Sequence, residues 1–362
     1  ADALRYTVVS SLGLGTNVML DPNNLEQSFA PGRNFVTKLW NIGRFLLANV
    51  GDGAVEPLDA IAPERLTSAD KWILARLDAA IAECDASLGP PRPTHDGKWL
   101  EGERYAGLRL MEYAEAARRF TWDELAAWYL ESTKSRLLDA GNAEDATVAR
   151  AVLAHVFDAA LRLLHPVVPF ITETLWQRLP GRRDADVLAR AYWPQVRGVA
   201  SDSATEFERV RDAAVRVRQL RVEYNIGPGT AIDVLIRPAS SAARATFAEY
   251  AAILGRLPGV RATIAAADAT PSEAAAHAML ADGSELFLLL AGAVDLAKEC
   301  ARFKGELGAL EKQLAALRGR LANAGFVDRA PANVVEAERQ KEREWSARRE
   351  QLSEKVAALC GD

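Results

Sequence analysis

Arg33-Asn34-Phe35-Val36-Thr37-Lys38-Leu39-Trp40-Asn41-Ile42-Gly43-Arg44-Phe45-Leu46-Leu47-Ala48-Asn49 is the segment from which the fold class is read. Phe35, Leu39, Ile42 and Leu46 return at intervals of four, three and four, the spacing of one face of an α-helix. Asn34, Lys38 and Asn41, with Arg33 and Arg44 nearby, fall on another face. One side therefore packs, and the other is free to meet something polar. Trp40 and Phe45 stand beside those cations and amides, and two readings of them remain open. Exposed aromatics next to cations suit stacking on unpaired nucleic-acid bases; aromatics are also ordinary core residues.

Outward from this segment the helical texture continues. Ser68 caps a helix through about Leu88, with Trp72, Leu74, Leu77 and Ile81 as its apolar contacts and Gly89 as its end. Gly89-Pro90-Pro91-Arg92-Pro93 and the residues to about Tyr105 cannot continue a helix, because proline removes a donor and clashes with the preceding turn, so an exposed insertion is expected. Helical pattern resumes near Tyr105 and runs past Leu137 with an interruption near Thr121. Further helices are expected from about Asp145 to Leu164 and from Ile171 to Leu179, separated by the two prolines of His165-Pro166-Val167-Val168-Pro169-Phe170. Upstream, residues 1–25 read as a short helix, a Gly13-Leu14-Gly15-Thr16-Asn17 turn and a loop.

Beyond Tyr192-Trp193-Pro194 the pattern changes. An Arg-rich helix from about Ser203 to Tyr224 precedes a stretch at Ala231–Arg237 whose alternation of Ile232, Val234 and Ile236 reads as a strand. A helix near Ser240–Leu254 and strands near 260–266, 275–280 and 284–290 complete a small α/β unit. Then Leu296, Cys300, Phe303, Leu307, Leu310, Leu314, Leu317 and Leu321 repeat at alternating intervals of four and three, the seam of a coiled coil. A break at Ala324–Pro331 and a second helical stretch to Cys360 imply an antiparallel hairpin. In that second stretch Trp345, Leu352, Val356 and Leu359 keep phase, while residues 338–344 are almost all charged. The expected architecture is mainly α: a tail at 1–25, a helical bundle at 26–195, a small α/β domain at 203–291 and a coiled-coil arm at 292–362.

Composition limits the chemistry. The 362 residues carry 44 basic and 49 acidic side chains, a formal charge of −5, so any nucleic-acid contact must come from local patches. The segment from Leu296 onward holds thirteen Lys or Arg against eleven Asp or Glu, net +2, which leaves the rest of the chain at −7. Cys84, Cys300 and Cys360 lie far apart and suggest neither a disulfide framework nor a zinc knuckle, which favours a reducing, cytoplasmic setting. The longest apolar run, Leu286 to Ala291, is too short for a bilayer. His95, His155, His165 and His277 fall in separate elements without metal-ligand spacing, and His165 reads as a capping or core histidine. No phosphate-cradling glycine loop or nucleophile elbow is present, so no catalytic residue and no metal site is expected. The first residue is Ala1 rather than Met, consistent with a piece of a longer protein.

Several blocks resemble bacterial valyl-tRNA synthetases, class I enzymes, in their C-terminal half: Ala1-Asp2-Ala3-Leu4-Arg5-Tyr6; Gly32-Arg33-Asn34-Phe35 through Lys38-Leu39-Trp40-Asn41 to Arg44-Phe45; Trp128-Tyr129-Leu130-Glu131 to Lys134; and Leu164-His165-Pro166 through Pro169-Phe170 to Glu173. Isoleucyl and leucyl relatives share looser versions. Leu321-Ala322-Asn323 to Phe326, Ala330-Pro331 and Val334-Val335-Glu336 to Arg339 resemble the valyl C-terminal arm. The family's active-site signatures, His-Ile-Gly-His and Lys-Met-Ser-Lys-Ser, do not occur here.

The resemblance implies a helical anticodon-binding domain, a small connecting domain and an arm that lies on the outer corner of tRNA. It implies tRNA contacts from Arg33, Asn34, Lys38, Trp40, Asn41, Arg44 and Phe45, and from Lys304, Lys312, Arg318, Arg320 and Arg339 on the arm. The partner would be a valine-specific tRNA. The full-length ligase would use ATP and Mg²⁺, with no cofactor in this portion. An arm whose second helix covers the first leaves a monomer. The alternatives are a coiled-coil assembly module that recruits a partner or a second copy, and the corresponding half of an isoleucyl or leucyl enzyme.

Overall fold

The computed structural model describes residues 1–11, 21–50, 55–89, 109–138, 142–183, 185–198, 205–227, 229–255, 259–266, 269–271 and 273–360. The Gly13–Asn17 turn and all of the expected insertion after Gly89 lie outside the described residues. The chain divides into two compact units, Ala1–Glu208 and Arg209–Asp362.

The first unit is helical. α1 (Asp2–Ser11), α2 (Leu25–Ser28), α3 (Ala30–Val50), α4 (Ser68–Leu88), α5 (Leu110–Arg119), a π-helical segment (Phe120–Tyr129), α6 (Leu130–Leu138), α7 (Ala143–Leu164) and α8 (Pro169–Trp176) follow one another along the chain. The apolar face expected of α3 is the face that packs: Phe35, Leu39, Ile42 and Leu46 are all buried. Trp72, Leu74, Leu77 and Ile81 of α4 are buried as well. The α4 cap is one residue earlier than expected. Thr67 accepts from the Asp70 backbone N–H while the Asp70 carboxylate accepts from the Thr67 N–H, a reciprocal capping box, and Ser68 is the first helical residue. Near Thr121, where an interruption was expected, the helix widens into π turns without breaking, and Thr121 Oγ1 donates to the Ala117 carbonyl at 2.8 Å.

Two contacts tie distant parts of this unit together. The Asp2 carboxylate caps α8 from the other end of the sequence, accepting the backbone N–H groups of Phe170 at 3.3 Å and Ile171 at 2.7 Å. Asp70, with no exposed surface, accepts from Tyr129 Oη at 2.6 Å and from Arg136 Nη1 at 2.8 Å. Arg136 also forks onto Asp145 at 2.7–3.0 Å. Burial opposes the Arg136 charge, but Asp70 and Asp145 outweigh it and hold the guanidinium above its ordinary pKa. Burial, reinforced by Asp70, pushes the Tyr129 phenol well above its own.

α9 (Thr205–Glu223) carries the chain from the first unit into the second. Its first turn belongs to the helical unit, where Phe207 packs on Trp72 at 4.8 Å and Glu208 accepts from the Trp72 indole at 2.7 Å. In the second unit come β1 (Ile232–Arg237), α10 (Ser241–Glu249), α11 (Ala251–Leu254), β2 (Val260–Ile264), β3 (Ala275–Met279) and β4 (Glu285–Leu289). The strands form one mixed sheet in the order β2-β1-β4-β3. β1 and β2 run parallel, joined through α10 and α11, with Ile232 opposite Val260; β4 is antiparallel to both β1 and β3, with Phe287 opposite Leu235 and His277. Ile232, Val234 and Ile236 point to the buried face, as their alternation required.

α12 (Leu296–Ala322), α13 (Ala324–Val327) and α14 (Ala332–Cys360) complete the chain. Four of the eight expected seam residues of α12, Phe303, Leu310, Leu314 and Leu317, are buried. α14 contributes fewer apolar contacts, with Val335, Leu352 and Leu359 buried. Its charged middle is used differently: Arg318 donates to Glu342 at 2.7 Å, Arg320 pairs with Glu338 at 3.6 Å, and Arg349 pairs with Glu311 at 3.2 Å. These pairs run in opposite order along the two helices, which makes the hairpin antiparallel.

The cysteine expectation is corrected here. Cys300 and Cys360 form a disulfide, with their Cα atoms 5.5 Å apart. Sixty residues separate them in sequence, so no spacing rule could pair them; the hairpin brings the start of α12 to the end of α14. Cys84 alone is a free thiol, and it is buried.

Candidate nucleic-acid interface

The sharp fit of α3 into the helical unit determines what it shows to solvent. A Cβ on Gly32 would stand 2.1 Å from the Ala3 carbonyl oxygen of α1, and one on Gly43 would stand 2.5 Å from a Leu175 methyl of α8. Both glycines therefore permit close helix crossings on the inner face. The outer face is left as a stripe of exposed residues at 33, 37, 41, 44 and 48, the recurrence of one helix flank.

The residues expected to contact nucleic acid distribute around this stripe. Asn34 and Asn41 are exposed. Arg33 is exposed but pairs with Glu26 of α2 at 2.8 Å. Arg44 is exposed, and among the described residues no acidic group pairs with it. Lys38 is half-buried on one shoulder, its ammonium 5.3 Å from the centre of the Trp122 ring. Phe45 lies on the same shoulder beneath the Lys134 ammonium at 5.7 Å. Trp40 is on the opposite shoulder, 5.4 Å from the Arg178 guanidinium. Both aromatics are half-buried, so each is neither core nor free: one edge packs and a cation covers part of the ring. Trp40 and Phe170, which is 63 % exposed, border a hollow of about 420 Å³ between α1, α3 and α8.

Trp122, Lys134, Arg178 and Phe170 are the neighbours that sequence reasoning did not assign to this surface. Each comes from an element far from α3 in the chain, and periodicity within α3 carries no trace of them.

On the second unit, Lys304, Lys312 and Arg339 are exposed, and among the described residues none of them has an ion-pair partner. Arg318 and Arg320, expected as tRNA contacts, are also exposed, but they are engaged across the hairpin with Glu342 and Ser346 and with Glu338. His165 accepts or donates at Nδ1 with Thr172 Oγ1, 2.8 Å away at the start of α8. Burial lowers its pKa, which fits a structural histidine. Among the described residues no group of His, Cys, Asp and Glu is arranged to hold a metal ion, and no helix is long and apolar enough to cross a membrane.

Two protein-family models match this chain. Residues 102–236 match the anticodon-binding domain of tRNA ligases, and residues 295–360 match the valyl-tRNA synthetase tRNA-binding arm. The first match begins downstream of α3, at the insertion, and includes Trp122, Lys134, Phe170 and Arg178, the neighbours that frame α3. Among curated relatives, valine–tRNA ligase of Nitratidesulfovibrio vulgaris is 35 % identical over 360 residues, covering 99 % of this chain and 37 % of that protein. The enzymes of the same name from Dechloromonas aromatica and Geobacillus kaustophilus are each 34 % identical, with 99 % of this chain covered and 36 % and 38 % of the relative. A crystal structure of the ternary complex of Agrobacterium radiobacter K84 agnB2 LeuRS-tRNA-LeuAMS aligns with a TM-score of 0.37 and 14 % identity over 65 % of this chain and 21 % of that one.

A helical anticodon-binding domain followed by a helical-hairpin tRNA-binding arm defines the chain as part of an aminoacyl-tRNA synthetase. Its relatives along almost the whole length narrow the class. The chain belongs to the valyl-tRNA synthetase family and corresponds to the C-terminal part of such an enzyme. It spans between a third and two fifths of the length of these curated relatives.

Proposed function

We propose that the chain grips tRNA through the exposed flank of α3 and through the hairpin arm, and that it reads a valine anticodon on behalf of a ligase whose catalytic part lies outside it. The observation that carries this reading is the α3 flank itself: Asn34, Asn41 and Arg44 exposed in a line, with Lys38, Trp40 and Phe45 on its shoulders. Amides and cations reach base edges and phosphates, and the uncovered parts of the rings offer stacking surface. The arm supplies sequence-independent grip through Lys304, Lys312 and Arg339. Arg318 and Arg320 act first as braces of the hairpin and secondarily as tRNA contacts. The complete enzyme would join valine to tRNA with ATP and Mg²⁺, neither of which is assigned a site in this chain. It works as a monomer in the cytoplasm.

Filter binding against a tRNA with a valine anticodon and one with an unrelated anticodon tests the identity-reading part. A clear preference for the first is expected; equal affinity would overturn it. Lys38→Ala and Arg44→Ala should each weaken binding and flatten its log–log salt dependence by about one unit per lost phosphate contact, while the melting temperature stays close to that of the parent. Leu39→Ala, at a fully buried position, should instead cost about 2–5 kcal/mol of stability. Thermal melts giving the opposite ranking would show that the faces of α3 are exchanged.

The competing role as an assembly module is separated by light scattering at two concentrations. α14 covers the buried seam residues of α12, so a concentration-independent monomer mass is expected. A mass that doubles with concentration would favour recruitment of a second copy.

A further inference from the structure

The arm is closed at its root by a covalent bond. Cys300 sits five residues into α12, on its apolar seam, and Cys360 is the last residue of α14. Both are half-buried, not sealed. Around them the root is held by few groups. Phe303 packs edge-on against Tyr224 at 5.4 Å, Arg302 donates to the Glu223 carbonyl at 2.8 Å, and Lys355 pairs with the Glu223 carboxylate. From Leu352 to the end of α14, Leu352 and Leu359 are the only buried side chains among the described residues. Further out, the hairpin keeps Leu310, Leu314, Leu317 and its three cross-helix ion pairs whatever the state of the sulfurs. Breaking the bond therefore leaves the hairpin folded and loosens its root, the two properties a reversible clasp needs.

We propose that Cys300 and Cys360 are a reversible thiol–disulfide modification site that reacts with glutathione disulfide, and that oxidation locks the last turns of α14 onto the start of α12. One cysteine thiolate attacks a sulfur of glutathione disulfide, and a glutathione thiolate leaves. The second cysteine thiolate attacks the mixed disulfide on its protein sulfur and displaces the other glutathione. Two protein thiols and one glutathione disulfide become one internal disulfide and two glutathione thiols, and excess reduced glutathione reverses the sequence. Cys84 takes no part. It is fully buried in α4, and burial, followed by Glu83 and Asp85, pushes its thiol up to about 12.

The test uses the whole chain, equilibrated in buffers of increasing glutathione disulfide, then alkylated and mapped by mass spectrometry. The expected result is simultaneous loss of alkylation at Cys300 and Cys360 with the loss of two hydrogens. Cys360→Ser should instead trap one glutathione on Cys300, and Cys300→Ser one on Cys360. Hydrogen exchange over residues 352–360 should be at least about tenfold slower in the oxidised than in the reduced chain, because the clasp removes open states of that end. The same comparison in Cys300→Ser should show no difference. Two glutathione adducts without an internal bond would overturn the proposal, as would equal exchange rates in the two states. Neither readout involves tRNA, so their failure would leave the tRNA reading intact.

Discussion

Asp70→Ala is expected to destabilise the helical unit by about 3–5 kcal/mol, the range seen when one partner of a buried charge pair is deleted. The reason is local and complete. Asp70 has no exposed surface, and its carboxylate accepts from Arg136, Tyr129, and the backbone N–H and hydroxyl of Thr67. Removing it leaves a mostly buried guanidinium with Asp145 alone, an unpaired phenol, and α4 without its capping box. Asp145→Ala should cost less, because Asp145 is partly exposed and Asp70 remains to hold Arg136. Urea denaturation of the two variants checks the order; a loss below about 1 kcal/mol for Asp70→Ala would mean that the network is dispensable.

The second large effect is on binding. Five cations have no ion-pair partner among the described residues in the surfaces assigned to tRNA: half-buried Lys38 and exposed Arg44 on α3, and exposed Lys304, Lys312 and Arg339 on the arm. Arg33, Arg318 and Arg320 already have acidic partners. Neutralising about five phosphates gives a log–log slope near −4 to −5, so affinity should fall several hundred-fold, roughly, between 50 and 200 mM salt. Nitrocellulose filter titrations across that range measure the slope. A slope of about −2 to −3 would mean that one unit alone holds the phosphates, and a slope near zero that neither surface does.

How far the chain could be read in advance follows from the range of each interaction. The buried face of α3 was legible because Phe35, Leu39, Ile42 and Leu46 announce it within four turns. The alternation at Ile232, Val234 and Ile236 announced β1 in the same way. A shift of one residue from Ser68 to Thr67 at the α4 cap reflects two adjacent hydroxyls of similar capping ability, decided by the geometry of Asp70. The Asp2 cap on α8 and the Cys300–Cys360 bond were not legible, since each joins residues that only the folded chain brings together. The charged stretch 338–344 was legible as polar but not as a brace, because Glu338 and Glu342 take their meaning from Arg320 and Arg318 on the facing helix. The candidate interface divides similarly. Its stripe can be read from α3 alone, whereas the cations over Trp40 and Phe45 arrive from the turn after α8 and from α6.

Ultraviolet crosslinking of the chain to tRNA, with peptide mapping of the adducts, probes the tRNA contact of α3 without intermediaries. Adducts are expected within residues 33–45, centred on Trp40 and Phe45, and they should diminish in Arg44→Ala. A map with adducts only elsewhere on the protein, and none on α3, would contradict the account.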